Sequence, residues 1–338
     1  MKKILVTGGT GYIGSHTAIE LINKGFEPIL IDNLSNSKIE RLDQIEKITG
    51  KRPQFVQVEM CDQNAMRSFF KSNPGIEAVI HFAGVLQVGE SVEMPLFYYR
   101  NNLVSTLNLL DCMKEFKVRP LVFSSSCTVY GNPDSLPVTE TAPIKAAVSP
   151  YGNTKKMCED ILRDTSIATN IEVISLRYFN PIGNHASAEI GEEPHGEPTH
   201  LVPYLTQTAR GIRAHLNIFG GDYSTPDGTC LRDYLHVVDL AKAHIAAIER
   251  QIAKKQEKDY EVYNIGTGIG FSVLEMVDAF EKATGKAVPY KIVPRRSGDV
   301  QAVYADTTAA SEKLGWKAQL GLEDMFRSAW AWEQKLEH

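Results

Sequence analysis

The stretch GGTGYIG, residues 8–14, decides the fold. It follows the apolar run ILVT at residues 4–7 and opens a helix-length segment at residues 12–25. Its glycines fit the G-x-x-G-x-x-G spacing, which lets the backbone turn sharply from strand to helix and approach a pyrophosphate. Asp32 ends the next apolar run, where a carboxylate can accept hydrogen bonds from an adenosine ribose. Since no arginine follows in NLSNS, residues 33–37, the pattern favours NAD over NADP; a glycine turn without a ligand is the alternative.

The first half of the chain alternates short apolar runs with helix-length segments, for example residues 12–25, 38–49 and 95–117. We predict strands for ILVTG, EPILID, QFVQVEM, EAVIHFAG, PLVFSSS and EVISLRYFN. Several of these runs are apolar on both faces, which is typical of a parallel sheet covered by helices. The alternation predicts an α/β fold with a Rossmann-type doubly wound parallel sheet.

The chain changes character after about Asn180. Residues 180–200 are rich in glycine, proline and glutamate, which predicts a long loop. The remainder mixes short strands, NIFG, VYNIG and PYKIVP, with helices such as SVLEMVDAFEKATG, and predicts a smaller mixed α/β C-terminal lobe. We therefore expect an NAD-binding domain over residues 1–180 and a substrate-binding lobe over residues 181–338, interleaved with the first by chain crossings.

Composition and charge disfavour several classes of protein. The 338 residues carry a net charge of −5 with a pI near 6.0 and no basic block, so neither nucleic acid nor an anionic membrane is implied as a partner. No apolar run reaches the length of a membrane span, and the start, MKKILVTGGTG, lacks the apolar core of a signal peptide. Five cysteines without a CxxC pair argue against a disulfide framework. These features predict a soluble, cytoplasmic enzyme.

A tyrosine and a lysine stand four residues apart in SPYGNTKK, residues 149–156. Tyr151 and Lys155 would lie one turn apart on a helix, and an ammonium beside a charged nicotinamide ring would lower the phenol pKa from its usual ~10, which suits proton transfer. About one such pair is expected by chance among 13 tyrosines. Position favours the functional interpretation, because the pair opens the helix after a strand that ends in SSS, where open α/β sheets bind ligands. Ser126 can donate a hydrogen bond there; a serine that only satisfies backbone groups is the alternative.

Motifs along the whole chain resemble those of one family. They are GGTGYIGSH, DNLSNS, HFAG-x-x-x-VGES, YYRNN, FSSSCTVYG, SPYGNTK, RYFNPIG, LRDYLHVVDLA and RRSGDV. From residue 1 to about residue 335, the chain resembles the UDP-galactose (UDP-glucose) 4-epimerases, which belong to the extended short-chain dehydrogenase/reductases. The resemblance implies that NAD stays bound, that Tyr151 takes the proton of the sugar 4-hydroxyl while C4 passes a hydride to nicotinamide, and that the 4-keto sugar turns over and takes the hydride back on its other face. It also implies that Ser126 assists the proton transfer and that Lys155 holds the nicotinamide ribose and the tyrosine.

The resemblance also assigns residues that bind the cofactor and a UDP-hexose. The expected NAD contacts are Gly8, Gly11, Tyr12, Ile13, Gly14, Asp32, Asn33, Asn36, Ser37, Glu59, Met60, Phe82, Ala83, Gly84, Asn101, Ser126, Tyr151, Lys155 and Tyr178. The expected contacts of the UDP-sugar are Ser126, Tyr151, Asn180, His200, Leu201, Asn217, Phe219, Arg232, Arg296, Asp299 and Val303. Arginines suit a diphosphate, because their guanidinium groups are fork-shaped and permanently charged. Asp299 is expected to bind the uridine ribose.

The chain departs from the family's pattern in four places. Thr199-His200-Leu201 replaces the common Asn-Asn-Leu, which exchanges an amide for an imidazole at the substrate mouth. Leu86 replaces a lysine, so one cation near the cofactor is missing and NAD is expected to be held less tightly. Val58-Glu59-Met60 replaces Gly-Asp-(Ile/Leu), which changes the expected adenine contact. Val303 replaces the tyrosine of members restricted to glucose and galactose, and leaves room for a 2-acetamido group.

These departures and the resemblance define the expected partners. Because Val303 is small, we predict that UDP-GalNAc and UDP-GlcNAc are substrates beside UDP-galactose and UDP-glucose. The resemblance also implies a homodimer formed through the helices at residues 95–117 and 151–168. A helix pair that only faces the core of its own chain would show the same amphipathic pattern.

Other chemistries fit the sequence less well. Related 4,6-dehydratases carry an Asp-Glu pair just after the fifth strand, where this chain has Cys127-Thr128. Nothing in the sequence activates Cys127 as a nucleophile. His195 and His200 lie with several glutamates in one loop, GEEPHGEPTH, without visible orienting partners, so we expect no metal site. A reductase of the same family or a non-catalytic NAD-binding protein remains an alternative, although the joint presence of Ser126, Tyr151 and Lys155 favours catalysis.

Overall fold

The computed structural model describes residues 1–194, 196–296 and 299–337. In chain order, its strands are β1 (Lys3–Thr7), β2 (Glu27–Asp32), β3 (Gln54–Gln57), β4 (Ile76–His81), β5 (Pro120–Ser126), β6 (Glu172–Tyr178), β7 (Asn180–Ile182), β8 (Leu216–Phe219), β9 (Leu231–Arg232), β10 (Tyr234–His236), β11 (Tyr260–Ile265), β12 (Phe271–Ser272), β13 (Tyr290–Val293) and β14 (Ala302–Val303). Its α-helices are α1 (Tyr12–Asn23), α2 (Arg41–Thr49), α3 (Gln63–Ser72), α4 (Val88–Glu93), α5 (Pro95–Glu115), α6 (Pro150–Ala168), α7 (Leu201–Ala209), α8 (Val237–Ile252), α9 (Val273–Thr284) and α10 (Leu322–Glu333). No helix of these residues is both long and apolar enough to cross a membrane.

Seven parallel strands form the main sheet in the order β11-β6-β5-β4-β1-β2-β3. Successive side chains of β1 enter two different cores, as the period of two along a strand requires. Ile4 and Val6 pack with Ile245 of α8 on one face. Leu5 packs with Leu109 of α5 on the other face. The sheet is therefore buried on both sides, which confirms the predicted doubly wound α/β class.

Three small sheets accompany the main one. β7 pairs with β10, β8 pairs with β13, and β9 lies between β12 and β14. β12 runs antiparallel to β9 whereas β14 runs parallel to it, so this part is mixed, as the sequence predicted. The helices α9 and α10 pack on each other beside these sheets, around Phe280 and Phe326.

The six strands predicted in the first half and the helices predicted at residues 12–25, 38–49 and 95–117 are present, but two assignments were wrong. Residues 180–182 were expected to begin a loop and instead form β7, which pairs with β10. VYNIG was expected in the second lobe, but its residues belong to β11, which pairs in register with β6 at the edge of the main sheet. A short apolar run predicts a strand without indicating its partner, and this explains the error. The helix α8, which precedes β11, packs against α1 of the first half. The proposed division at residue 180 stays a prediction.

The carboxyl ends of the central strands meet at one edge of the sheet. Thr7 at the end of β1 stands beside His81 at the end of β4, and Ser126 at the end of β5 stands beside Tyr178 at the end of β6. Parallel pairing makes this convergence unavoidable, because all strands point the same way. Residues that follow these strands can therefore act on one ligand.

Asp233 ties the small sheets to the main sheet. Its carboxylate is fully buried and accepts hydrogen bonds from the backbone N–H groups of Thr267 (2.8 Å), Gly268 (3.0 Å) and Ala305 (3.1 Å), and from the Thr267 hydroxyl (2.7 Å). Thr267 and Gly268 follow β11, and Ala305 follows β14, so one side chain joins three segments of chain.

Replacing Asp233 by alanine should destabilise the fold strongly. Three buried backbone N–H groups would lose their acceptor, at about 1–3 kcal/mol each, which should lower the melting temperature by about 5 °C or more. Calorimetry or circular dichroism checks this. Asp43→Ala is the control: the Asp43 side chain is 67% exposed and pairs with surface Arg52, so its removal should change the melting temperature little. Equal melting temperatures for both variants would contradict this account.

Candidate functional site

The glycine turn brings three stretches of backbone into contact. Gly8 has a positive φ of 66°, and a Cβ there would lie 2.8 Å from the backbone nitrogen of Ala83. A Cβ on Gly14 would lie 2.2 Å from the carbonyl oxygen of Gly8. α1 starts at Tyr12 with Gly11 as its N-cap and no capping side chain, so its first N–H groups stay free for an anion. The turn thus fits the pyrophosphate of a dinucleotide.

Asp32 is held in place at the end of β2. Its Oδ1 accepts from the backbone N–H of Leu34 and from the Ser37 hydroxyl, both at 2.9 Å. Its Oδ2 accepts from the backbone N–H of Thr10 in the glycine turn at 3.3 Å. The carboxylate and the turn therefore form one unit, at the place where an adenosine ribose is expected.

The other residues predicted on the adenosine side have varied surroundings. The Asn33 amide donates to the Glu59 carboxylate at 2.8 Å, so these two lie together beside Asp32. Met60 is buried in the core below the sheet, so its side chain faces away from the surface. Asn36 is exposed in the same loop as Ser37.

The loop after β4 lies against the glycine turn on one side and α5 on the other. Phe82 and Ala83 donate from their backbone N–H groups to the backbone oxygen and hydroxyl of Thr7, at 3.1 and 3.3 Å. A Cβ on Gly84 would lie 3.0 Å from the amide oxygen of Asn102. The next residue, Val85, exchanges two hydrogen bonds with that same amide.

Asn102 was missed by the sequence analysis, which named its neighbour Asn101. Besides Val85, the Asn102 amide donates to the Thr154 hydroxyl at 2.9 Å, and so fastens the loop after β4 to α6. Asn101 is half-buried and its backbone oxygen lies 3.7 Å from the thiol of Cys61. The pair Asn-Asn in YYRNN signals both positions, but only the structure shows which amide joins the two elements.

Tyr12 and Ile13 point from α1 in different directions. The Tyr12 hydroxyl donates to the backbone oxygen of Gly183, in the loop after β7. His16, one turn on, accepts from the backbone N–H of His185 at 3.2 Å. Ile13 packs against the core between α1 and the sheet. One face of α1 therefore holds the start of the loop that was predicted over residues 180–200.

Ser126, Tyr151 and Lys155 are brought together, as the sequence predicted. α6 begins at Pro150 with Ser149 as its N-cap, whose hydroxyl accepts from the N–H of Gly152 at 3.1 Å. This cap places Tyr151 in the first turn, beside the end of β5. Tyr151 is 8% exposed and Lys155 is 7% exposed. The ammonium of Lys155 donates to the backbone oxygen of Ser124 at 2.7 Å and lies 6.0 Å from the Tyr151 ring centroid.

Thr128 orients Ser126. Both its backbone N–H and its hydroxyl donate to the Ser126 Oγ, at 3.2 and 3.0 Å. Because both lone pairs of that oxygen are occupied, the Ser126 proton is free to be donated towards Tyr151 or a ligand. From the sequence, Thr128 was notable only because related 4,6-dehydratases have a carboxylate at this position.

Burial governs the charges of this cluster. It raises the pKa of Tyr151 well above its ordinary value, and a hydrogen bond with Ser126 opposes this only in part. Burial also lowers the pKa of Lys155 to about 8, against the opposing effects of Cys158 and Glu159. The expected lowering of the phenol pKa by Lys155 is therefore not found in the chain alone. Its ammonium is bonded to Ser124 rather than to the phenol.

Tyr178 completes this group from β6. Its hydroxyl lies 2.7 Å from the hydroxyl of Ser124, whose backbone oxygen holds Lys155. Its ring and the ring of Phe82 both contact His244 of α8, at centroid distances of 6.2 and 4.5 Å. The rings of Phe82, Tyr178 and His244 thus form one aromatic cluster beside the ends of β4 and β6.

Positive charge and an aromatic ring meet in the small sheets. Arg296 donates to the Asp299 carboxylate at 2.9 and 3.3 Å, and its guanidinium lies 5.7 Å from the Phe219 ring centroid. Arg232 on β9 lies 3.6 Å from Asp299. Asn217 stands two residues before Phe219 on β8, and therefore on the same face. These predicted residues form one cluster.

His200 belongs to the rim of that cluster. Its Nδ1 lies 2.6 Å from the Glu192 carboxylate. Burial disfavours the imidazolium, but the charge of Glu192 and this hydrogen bond outweigh it and raise the His200 pKa. Leu201 begins α7 directly after it. Asn180, at the exposed start of β7, donates from its backbone to Asp233 at 3.0 Å.

Val303 lies where β14 approaches the catalytic strand. It is 5% exposed and packs with Val129 and Phe179, and Cys127 adjoins the same cluster. It stands beside Arg232 in the pairing of β14 with β9. A small side chain therefore lies beside Arg232, in the same cluster as Cys127, the residue that follows Ser126.

The described residues offer little support for other chemistries. Among them, no group of three or more histidines, cysteines and acids could hold a metal; His195 lies outside the described residues. Burial raises the pKa of Cys127 to about 12, so its thiol stays protonated and is no nucleophile.

Comparisons with known proteins agree with this geometry. The family model described as GDP-mannose 4,6 dehydratase matches residues 5–329. A curated UDP-glucose 4-epimerase from Bacillus subtilis is 51% identical over 98% of this chain and 96% of its own length. The crystal structure of UDP-glucose 4-epimerase from Bifidobacterium longum in complex with NAD+ and UDP is 48% identical, covers 99% of this chain and 98% of its own, and has a TM-score of 0.94. That of the UDP-Glc/GlcNAc 4-epimerase from Campylobacter jejuni is 34% identical, covers 99% and 100%, and has a TM-score of 0.85.

Identity near one half over almost the entire length leaves no large segment unmatched. The glycine turn and the Tyr151–Lys155 pair both lie at the edge where the strands of the main sheet end. This chain therefore belongs to the UDP-glucose 4-epimerase family, within the extended short-chain dehydrogenase/reductases.

Proposed function

We propose that this chain is an NAD-dependent 4-epimerase that interconverts UDP-galactose and UDP-glucose, and that it also interconverts UDP-GalNAc and UDP-GlcNAc. The observation that carries the first part is the position of Ser126, Tyr151 and Lys155 at the edge of the sheet where the glycine turn lies. Identity of about 50% to curated UDP-glucose 4-epimerases supports it.

The residues of the turn and its surroundings would hold NAD. The free N–H groups at the start of α1 suit its pyrophosphate, and Asp32 suits the adenosine ribose. When bound, NAD supplies the acceptor for a hydride from C4 and the donor for its return. Leu86 stands where a cation is common in the family. It is exposed, and because its side chain is apolar it adds no charge to the cofactor's binding.

Tyr151 is the residue that moves the proton of the sugar 4-hydroxyl. As a buried phenol it is a weak base by itself, so it depends on positive charge close by. Lys155 provides such a charge within the same pocket. Ser126 has its proton free and can pass it between the sugar oxygen and the phenolate.

The cluster in the small sheets would hold the nucleotide. Arg232 and Arg296 offer fork-shaped cations to a diphosphate, and Phe219 offers a ring face to the uracil. The Asp299 carboxylate contacts the guanidinium groups of both arginines and holds them at a defined spacing. His200, held by Glu192, adds a further donor at the rim.

The extension to 2-acetamido sugars rests on Val303. Its small side chain lies beside Arg232 and near Cys127, so an acetamido group on C2 would meet little bulk there. A related chain that is 34% identical is named a UDP-Glc/GlcNAc 4-epimerase, which supports the proposal.

The 4,6-dehydratase alternative lacks its acid and base. The two positions after Ser126 hold Cys127 and Thr128, and Thr128 is already bonded to Ser126. Water elimination needs a proton donor and acceptor there, which a thiol with a raised pKa does not provide.

We also propose a homodimer in the cytoplasm. Large apolar side chains are exposed on α5 and α6, among them Leu96, Phe97, Leu107 and Ile167. The α5–α6 pairs of two copies of the chain could pack face to face. The five unpaired cysteines suit a reducing compartment.

Tyr151→Phe should lower kcat by about 100- to 10,000-fold, because the general base is removed. NMR of purified protein with UDP-galactose, with and without added NAD, measures the conversion to UDP-glucose. The control Tyr290→Phe removes an exposed hydroxyl and should keep full activity. Full activity of Tyr151→Phe would refute the assignment of the base, and no conversion by the unchanged chain would refute the epimerase.

Val303→Tyr should abolish turnover of UDP-GalNAc selectively. The phenol ring would fill the space for the acetamido group, so kcat/KM for UDP-GalNAc should fall by about 100-fold while that for UDP-galactose changes by less than about threefold. Val303→Ala, which keeps the space, is the matched control. Failure of the unchanged chain to convert UDP-GalNAc, or equal losses for both substrates in Val303→Tyr, would contradict the proposal.

Introducing charge on the exposed face of α5 and α6 should give a monomer. Leu96 and Ile167 are 75% and 73% exposed, so Leu96→Glu/Ile167→Glu should leave the fold intact while it desolvates two carboxylates in the dimer. Analytical ultracentrifugation measures the mass. Ile269→Glu, on an exposed residue elsewhere, is the control. An unchanged chain that sediments as a monomer would disprove the dimer.

A further inference from the structure

A buried ion pair lies directly behind the catalytic lysine. Glu159 follows Lys155 by one turn of α6, and it meets Arg177 of β6 through two hydrogen bonds of 2.9 and 2.6 Å. Both side chains are about 95% buried, at 4% and 5% exposure. Neither residue is itself expected to bind substrate or cofactor, and neither was indicated by the sequence.

Neighbouring residues hold this pair at the level of the active site. The Ser125 hydroxyl donates to the Glu159 carboxylate, and Ser125 immediately precedes Ser126. Arg177 immediately precedes Tyr178 and donates to the Tyr130 hydroxyl at 3.0 Å, which in turn donates to Asn264 at 2.6 Å. The pair thus joins α6 to β5 and β6 at the register where the catalytic side chains emerge.

Charge near Lys155 comes from few groups. On its own helix these are Tyr151, Cys158 and Glu159, of which burial raises the pKa of Tyr151 and of Cys158, so both stay neutral. On the strands packed against it, burial lowers the pKa of His81 to about 3 and keeps that imidazole neutral.

Two further groups on β6 contact the partners of the lysine: Arg177 pairs with Glu159, and the Tyr178 hydroxyl bonds to the Ser124 hydroxyl. Burial raises the pKa of Tyr178 to about 12, so its phenol is neutral as well. Arg177 carries a permanent positive charge. Among the described residues that face Lys155, the carboxylate of Glu159 is therefore the negative charge, and Arg177 is the counter-charge that limits it.

We propose that Glu159 and Arg177 are positioning residues that set the charge of Lys155: the carboxylate holds the lysine as an ammonium, and the guanidinium restrains that influence. Residues four apart on a helix have Cβ atoms about 5–6 Å apart, which is close enough for a strong electrostatic effect in a buried site. The inference rests on the proposed function, since Lys155 matters only if proton transfer at Tyr151 is the chemistry.

The signs of two substitutions follow from this arrangement. Burial lowers the pKa of Lys155 to about 8, and Glu159 opposes that effect. Glu159→Gln removes the opposition and leaves Arg177 unpaired, so the ammonium is lost at a lower pH. Arg177→Met keeps the apolar stem but frees the carboxylate to act on Lys155, so the ammonium persists to a higher pH. A pair that only braced the fold would not move the pH limb in opposite directions.

The test is the pH dependence of kcat for UDP-galactose, measured on NAD-loaded enzyme between pH 6 and 10. The alkaline limb should move down by about one pH unit or more in Glu159→Gln and up by a similar amount in Arg177→Met, with KM and NAD content unchanged. In Glu159→Gln/Arg177→Met, which removes both charges, the limb should return to within about half a unit of the original.

Each single variant tests the proposal independently, so one that folds and binds NAD suffices. Limbs that stay in place, or that move in the same direction in both variants, overturn it. A double variant whose limb lies about one pH unit or more from that of the unchanged chain also overturns it, and this arm remains decisive if a single variant fails to fold. An unchanged chain without epimerase activity would instead refute the proposed function, so the two failures are distinguishable.

Discussion

The structure depends on a close contact between backbone segments that leaves no room for a side chain. At the glycine turn, a Cβ on Gly14 would lie 2.2 Å from the oxygen of Gly8, and one on Gly8 would lie 2.8 Å from the nitrogen of Ala83. This close approach sets the direction of α1 relative to β1 and β4 at once. The free N–H groups of α1 then point over the edge of the sheet where the other parallel strands also end. The anion site and the catalytic strand ends are therefore consequences of the same packing.

Burial of the catalytic groups follows from the same arrangement and creates an electrostatic problem. A phenol and an ammonium enclosed between β5, β6 and α6 both tend towards their neutral forms, as the directions of their pKa changes show. Proton transfer needs the charged forms, a phenolate at Tyr151 and an ammonium at Lys155. Positive charge near Tyr151 and negative charge near Lys155 must therefore come from groups that are themselves held in place. The proposed effect of Glu159 on Lys155 would meet the second of these requirements.

The sequence predicts what is local and misses what is distant. GGTGYIG, Asp32 and the strand ending in SSS each carry their structural meaning within a few residues, so the sheet, the turn and the position of Tyr151 and Lys155 at the start of a helix could be predicted. The bond between Asn102 and Thr154 spans 52 positions, and Asp233 joins segments more than 30 positions away. No periodicity reports such contacts, and the same reason explains why β11 was assigned to the wrong part of the fold. The direction of the Tyr151 pKa depends on burial, which motifs do not reveal.

Specificity in such a site is decided more by space than by bonds. A sugar that presents first one and then the other face of C4 to the same hydride carrier cannot be held by many directional hydrogen bonds, because they would resist its turning. In the function proposed above, the binding energy comes from the nucleotide, through the arginine cluster around Asp299 and the ring of Phe219. Under this constraint, the side chain at Val303 acts by the volume that it leaves free. A small residue permits an acetamido group without requiring one, since a hydrophobic pocket discriminates weakly against a smaller ligand. The proposed use of both sugar classes would follow from a packing choice in β14.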